Sequence, residues 1–118
     1  MPARLTARGA GSLAGRVVAR VRAAVAAARA TVPEVAAATE ARMKQIVPVD
    51  TENLRDRIEA LPDGDRYTVG PRGVDYAGYV EYGTSKMRAQ PYVRPAAEWA
   101  RGEFPRRVAR AVEAVIDE

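Results

Sequence analysis

Neither cysteine nor histidine occurs among the 118 residues. The first absence excludes disulfides, thiolate nucleophiles and cysteine zinc sites together. The second removes the commonest general base and the commonest transition-metal ligand, so Ser12 and Ser85 have no histidine to activate them. Aromatic residues make up only 6%, with one Trp and one Phe, and alanine and valine dominate the apolar fraction. Helices built from them pack closely, but each contact removes little surface from water, and oligomerisation is the usual remedy. No apolar run approaches the roughly 20 residues that span a bilayer, so no membrane partner is expected. Gly70, Gly73, Gly78 and Gly83 match neither nucleotide-binding fingerprint. Asp63, Asp65, Asp75 and Glu81 lack the ligand spacing of a calcium loop, and Asp63 to Asp65 reads better as a turn. No catalytic residue, metal site or cofactor is expected, and the chain does not read as an enzyme.

What is present is charge, unevenly spread. The net charge is +4, yet residues 1 to 47 carry eight Arg or Lys against two Glu, while the remainder carries eleven basic against thirteen acidic residues. The basic half suits an acidic partner surface or nucleic acid, and equally a solvated helix face. A small basic nucleic-acid-binding protein is therefore the reading from another functional class. The lack of aromatics interleaved with those arginines counts against single-strand binding.

The chain reads as one domain. Residues 1–11 read as a mobile arm. From Ser12, a plausible N-cap, Leu13, Val17, Val21, Val25, Ala28 and Val32 recur at spacings of three and four, predicting an amphipathic helix. Pro33 interrupts the pattern, which resumes in phase with Val35, Thr39, Met43 and Ile46, so one kinked helix and two helices both satisfy it. A continuous helix over 12–46 would be about 50 Å long, more than a domain of this size covers, so part of it is expected to pack on another subunit or fray. After Pro48, Asp50 or Thr51 caps a second helix whose buried face is Leu54, Ile58 and Leu61. A turn at 62–65 leads into a strand, RYTVG, with Tyr67 and Val69 on one face, and Pro71-Arg72-Gly73 turns again. A C-terminal helix over 95–117 has Pro95 in its first turn and the stripe Ala97, Ala100, Phe104, Val108, Val112 and Val115, with a kink near Phe104. Trp99, beside that stripe, is assigned to the core or to a subunit contact.

The most informative stretch is Asp75 to Ala97, DYAGYVEYGTSKMRAQPYVRPAA, which holds four tyrosines. Tyr76, Tyr79, Val80 and Gly83 fit helical spacing, whereas Tyr76, Val80 and Tyr82 share a strand's parity, and a short helical turn is the reading adopted. Gly83 and Thr84 form a structural turn. Beyond them Pro91 and Pro95 push Gln90 and Arg94 towards extended backbone, predicting an extended arm over 84–95 that carries Met87 and Tyr92. Glu81 is expected to pair with Arg88 or Arg94.

Two blocks carry a resemblance. VPVDTENLRDRI at 47–58 and YAGYVEYGTSKMRAQPYVRPA at 76–96 resemble, in order and spacing, the paired blocks of the small tail-component proteins of long-tailed bacteriophages, called tail-completion, neck or head-to-tail joining proteins. The chain departs from that pattern at Glu52, where the family usually has glycine, and at Arg57, where it has a small polar residue. The resemblance implies an α+β fold in which a core over 47–97, with a small antiparallel β-sheet, lies between a long N-terminal and a C-terminal helix. It further implies a virion structural protein, made in the host cytoplasm, that forms a ring of commonly six subunits at the head–tail interface. Its neighbours there would be connector or stopper proteins on one side and tail-tube or terminator proteins on the other, with double-stranded DNA passing through without sequence recognition. A stopper or tail-terminator ring is the neighbouring alternative. On this reading Tyr76, Tyr79, Glu81, Gly83, Thr84, Met87, Gln90, Pro91, Tyr92, Arg94, Pro95 and Trp99 are structural and interface residues.

Overall fold

A single helix of 40 residues, α1 (Ala7–Ile46), runs along most of the molecule. The computed structural model describes residues 7–48 and 52–117. The α+β class holds: α1 is followed by α2 (Glu52–Asp56), the hairpin β1 (Ile58–Asp63) and β2 (Arg66–Pro71), α3 (Ala77–Tyr82) and α4 (Val93–Ile116). The whole measures 83 × 22 × 21 Å. At 1.5 Å per residue α1 alone accounts for about 60 Å of that length.

The long helix begins at Ala7, so Ser12 lies within it and is not its N-cap. Of the arm expected over 1–11, residues 1–6 fall outside the described residues, as do the candidate caps Asp50 and Thr51. α1 also passes through Pro33 without interruption. Pro33 removes the N–H that would bond the Arg29 carbonyl, but it sits on the exposed side, while Thr31, Val35 and Ala36 around it are buried. Tertiary packing there outweighs one lost helical hydrogen bond. The two buried hydroxyls stay satisfied within the helix: Thr31 Oγ1 donates to the Ala28 carbonyl at 2.6 Å and Thr39 Oγ1 to that of Val35 at 2.7 Å.

α4 lies antiparallel along α1. Arg42 stacks its guanidinium on Trp99, 4.9 Å from the ring centroid, near one end, and Arg20 donates to the Ile116 carbonyl at 2.7 Å near the other. α4 is likewise continuous through Pro105. Pro95 is its third residue, where the missing N–H has no intrahelical partner to lose.

The region after Pro48 corrects one expectation. The helix predicted through Leu61 stops at Asp56, where Arg57 N–H bonds the Leu54 carbonyl at 3.1 Å, and residues 58–63 form β1 instead. The strand RYTVG needs a partner for its backbone groups, and the preceding segment is the nearest one available. Pairing runs from Ile58 opposite Pro71 to Asp63 opposite Arg66, around a two-residue turn at Gly64–Asp65. Leu54 and Ile58 are indeed both buried, but from a helix and a strand respectively, while Leu61 is exposed. Pro62 is tolerated because both strands of a two-stranded sheet are edges. The core gathers at this end: Met43 and Val47 from α1, Leu54, Ile58, Val80, Tyr92 and Ala96 enclose one another.

Candidate assembly site

α3 and its N-cap residue Tyr76 divide sharply into two faces. Ala77, Val80 and Glu81 point inward, and Tyr76, Tyr79 and Tyr82, three residues apart, point out with 38%, 59% and 70% of their surface exposed. The segment is helical, as read, but its stripe differs from the expected one: Val80 is buried while Tyr76 and Tyr79 are exposed.

What fixes α3 is a carboxylate. Glu81, only 4% exposed, reaches the N-terminus of α4, whose N-cap residue Tyr92 offers no side-chain cap and whose first turn contains no acidic residue. Its Oε1 accepts the backbone N–H of Tyr92 at 2.9 Å and of Val93 at 2.7 Å. Its Oε2 accepts the Arg94 N–H at 3.3 Å and Arg94 Nε at 3.2 Å. A carboxylate at a helix N-terminus satisfies orphan donors and meets the positive end of the helix dipole. Burial by itself would raise the Glu81 pKa. The N–H groups of Tyr92, Val93 and Arg94 and the Arg94 guanidinium outweigh it and hold the carboxyl below its ordinary value of 4.5. Of the two arginines considered as partners from the sequence, the structure selects Arg94, and the backbone of α4 contributes more bonds than that side chain does.

The connection between α3 and α4 lacks regular structure, in keeping with Pro91, but it does not project as an extended arm over 84–95. Arg94, expected to be extended, already lies with Pro95 in the first turn of α4. Gly83, at φ +77°, donates to the Tyr79 carbonyl at 2.7 Å and reverses the chain. Thr84 and Met87 exchange N–H to carbonyl bonds at 2.8 and 3.4 Å, and the Thr84 hydroxyl accepts the Lys86 N–H at 3.2 Å. Gln90 N–H then returns to the Val80 carbonyl at 2.8 Å. The loop folds back this closely because Gly83 has no Cβ: one placed there would lie 2.7 Å from the Ala89 nitrogen and 2.9 Å from the Met87 oxygen. Pro91 then leads into Tyr92, which is buried to 1% with its hydroxyl donating to the Ala77 carbonyl at 3.3 Å. Burial and the nearby Glu81 and Tyr76 charges push its pKa up to about 12.

The residues singled out from the sequence thus separate. Glu81, Gly83, Thr84, Gln90, Tyr92 and Arg94 form one clasp joining α3, the loop and α4, with Pro91 and Pro95 flanking Tyr92. Tyr76, Tyr79, Tyr82 and the 40%-exposed Met87 form the surface that the clasp holds out, with the Arg94 guanidinium 5.4 Å from the Tyr82 ring centroid. Rigidly mounted tyrosines of this kind are characteristic anchors of protein interfaces. Trp99 belongs to neither group, being half-buried against Arg42 at the α1–α4 contact. Sequence reasoning missed Glu81's role as the cap of a helix eleven residues away; the signal was that α4 has no acidic residue of its own in its first turn.

Among the described residues no cluster of metal-ligating side chains occurs, and no helix is long and apolar enough to cross a membrane. No curated protein and no solved structure gives a significant match to the chain. One family model does, over residues 9–83, well over half of the chain. Its description is "Bacteriophage HK97-gp10, putative tail-component", and the matched span ends at the Gly83 turn, taking in most of α1, the hairpin and the tyrosine face. The chain therefore belongs to the HK97 gp10-like family of structural tail components of bacteriophages.

Proposed function

We propose that this protein is the subunit of an oligomeric ring, of six copies as the resemblance implies, at the interface between head and tail of the virion. It completes or joins that connection and borders the passage for double-stranded DNA. The observation that carries this reading is the solvent exposure of large aliphatic side chains on the N-terminal half of α1. Leu13, Val17, Val21 and Val25 are 57%, 54%, 57% and 45% exposed although they lie on one side of the helix. An amphipathic helix that leaves its apolar side in water lacks the surface it is patterned to meet. Family membership makes other virion proteins, and further copies of itself, the surfaces available. The tyrosine face of α3 supplies a second contact, suited to a neighbouring level of the tail or connector. A modest net charge of +4 suits a channel through which DNA must slide, since strong phosphate contacts would hold the genome in place.

The test is the solution mass of the purified protein by light scattering, with imaging of large species, alone and with tail extract. Closed rings with an open lumen are expected, and joined particles in the presence of tails. Replacing Tyr79 and Tyr82 together by Ser should leave the fold and the ring intact but reduce joining at least about tenfold, since the hot spots of interfaces, in which tyrosine is enriched, cost about 2 kcal/mol or more when truncated. A chain that stays monomeric with tails present and shifts DNA at moderate salt would replace this reading with that of a basic nucleic-acid binder.

A further inference from the structure

A ring of the kind proposed above needs two complementary surfaces on each subunit, and identifying them rests on that reading. Above α1, the hairpin and α4 leave an open groove of about 400 Å³ whose lining is almost wholly apolar. Its floor is Val32, Val35 and Met43 of α1, and its walls are Tyr67 and Val69 of β2 and Phe104 of α4. Ala97 and Ala100 also face it, and such small side chains let another helix approach closely. The floor continues, at spacings of three and four through Ala28, the same apolar side of α1 that carries Leu13, Val17, Val21 and Val25. One half of the helix is therefore an uncovered ridge, about 18 Å long from Leu13 to Val25, and the other half floors an unfilled groove.

We propose that the ridge of α1 docks into the groove between α1, β2 and α4 of a second copy of this chain. The ridge has no route into its own groove, because α1 is continuous through Pro33 and both features belong to one rod. Charge supports an identical partner. Residues 12–33 of α1 contain Arg16, Arg20, Arg22 and Arg29 and no acidic residue, whereas the hairpin that walls the groove exposes Glu59, Asp63 and Asp65 against Arg66. Arg101 is the one basic residue in the groove lining. A ridge-against-ridge pairing of two copies would instead set arginines against arginines and leave both grooves empty. Ridge and groove lie at different ends of the subunit, so the contact is head-to-tail, the kind of contact that forms a ring where its rotation closes.

The absence of cysteine makes the contact directly testable. Val21→Cys and Phe104→Cys proteins are mixed, allowed to assemble and oxidised, and compared with each protein alone. Both substituted positions are exposed, at 57% and 36%. A disulfide-linked dimer is expected in the mixture and not from either protein alone. In parallel, Val17→Glu with Val21→Glu should reduce the assembled fraction about tenfold or more at fixed concentration while the monomer's melting temperature is retained. Cross-linking of Val21→Cys protein with itself would overturn the proposal in favour of ridge-against-ridge packing. So would rings that form normally from the double glutamate variant, including the case in which those rings then fail only to join tails, which would make another virion protein the ridge's occupant. Rings that assemble without the mixed cross-link overturn this contact alone. A chain that never assembles, with or without tails, overturns the ring itself.

Discussion

Replacing Glu81 by Gln keeps the volume and hydrogen-bonding reach of the side chain and removes its charge, which isolates the reason a buried carboxylate is there. Gln retains one oxygen, sufficient for the N–H groups of Tyr92 and Val93 now at 2.9 and 2.7 Å. The charge assistance that roughly doubles such bonds is lost. Its NH₂ group faces the Arg94 N–H and Nε, now at 3.3 and 3.2 Å from Oε2, so that donors oppose donors. Together these changes cost about 2 kcal/mol, within the range for helix caps and for bonds to charged groups. For a domain of this length the melting temperature should fall by roughly 6–12 °C. The melt is best followed by circular dichroism at low protein concentration, so that assembly does not add to stability. Arg94→Ala is the internal control: with 60% of that side chain exposed, its ion pair and its stacking on Tyr82 contribute about 1 kcal/mol or less. The pH dependence has a definite sign. The folded carboxyl titrates below its ordinary value of 4.5, so its contribution is present above that pH and is lost as pH falls through the folded pKa. The Gln variant should therefore lose less stability than the parent on acidification through that window. A Gln variant that melts with the parent, or an Arg94→Ala variant that costs as much as Glu81→Gln, would refute the view that Glu81 serves chiefly the end of α4.

Two further outcomes concern the same clasp. Gly83→Ala should destabilise by more than about 2 kcal/mol in a denaturant titration, since positive φ and a 2.7 Å approach to Ala89 act together. Gly64→Ala, at φ +65° with nothing within 4 Å, should cost only about 1 kcal/mol, and equal losses would show that crowding at Gly83 is unimportant. Tyr92 should give a phenolate absorbance step near pH 12, displaced upward from the ordinary value of 10.0. Because the folded pKa is the higher one, the corresponding stability is present below pH 10 and is lost as pH rises towards 12; Tyr92→Phe should abolish the late step and cost about 1 kcal/mol through the bond to Ala77.

The two long helices were legible from the spacing of valines and alanines, because a stripe at intervals of three and four has no other regular structure to fit. The strand after the glycine and aspartate turn was equally readable from local chemistry, as was the turn itself, although it occupies only Gly64–Asp65 and leaves Pro62 and Asp63 in β1. β1 was not, since Leu54, Ile58 and Leu61 satisfy helical spacing and only the demand of the RYTVG strand for a partner converts them. The continuity of α1 at Pro33 was also undecided locally, as the competing terms are a lost hydrogen bond and the burial of Thr31, Val35 and Ala36 against the rest of the chain. Glu81 and Gly83 stood out as members of one motif, but what each touches did not.

By itself, then, the sequence determined the chemistry that is missing, the helical pattern, the turns and, through its two blocks, the phage tail-component family. These follow from residue type and short-range spacing, which act within a turn or two of the backbone. Only the tertiary structure decided that Glu81 caps α4, that Tyr76, Tyr79 and Tyr82 face outward together, and that one side of α1 is half ridge and half groove floor. Those outcomes depend on which distant surfaces exclude water from each other, and α4 covers α1 only from about Arg20 onward. Leu13 and Val17 lie beyond that cover and Val21 and Val25 beside it, so the apolar pattern there faces solvent.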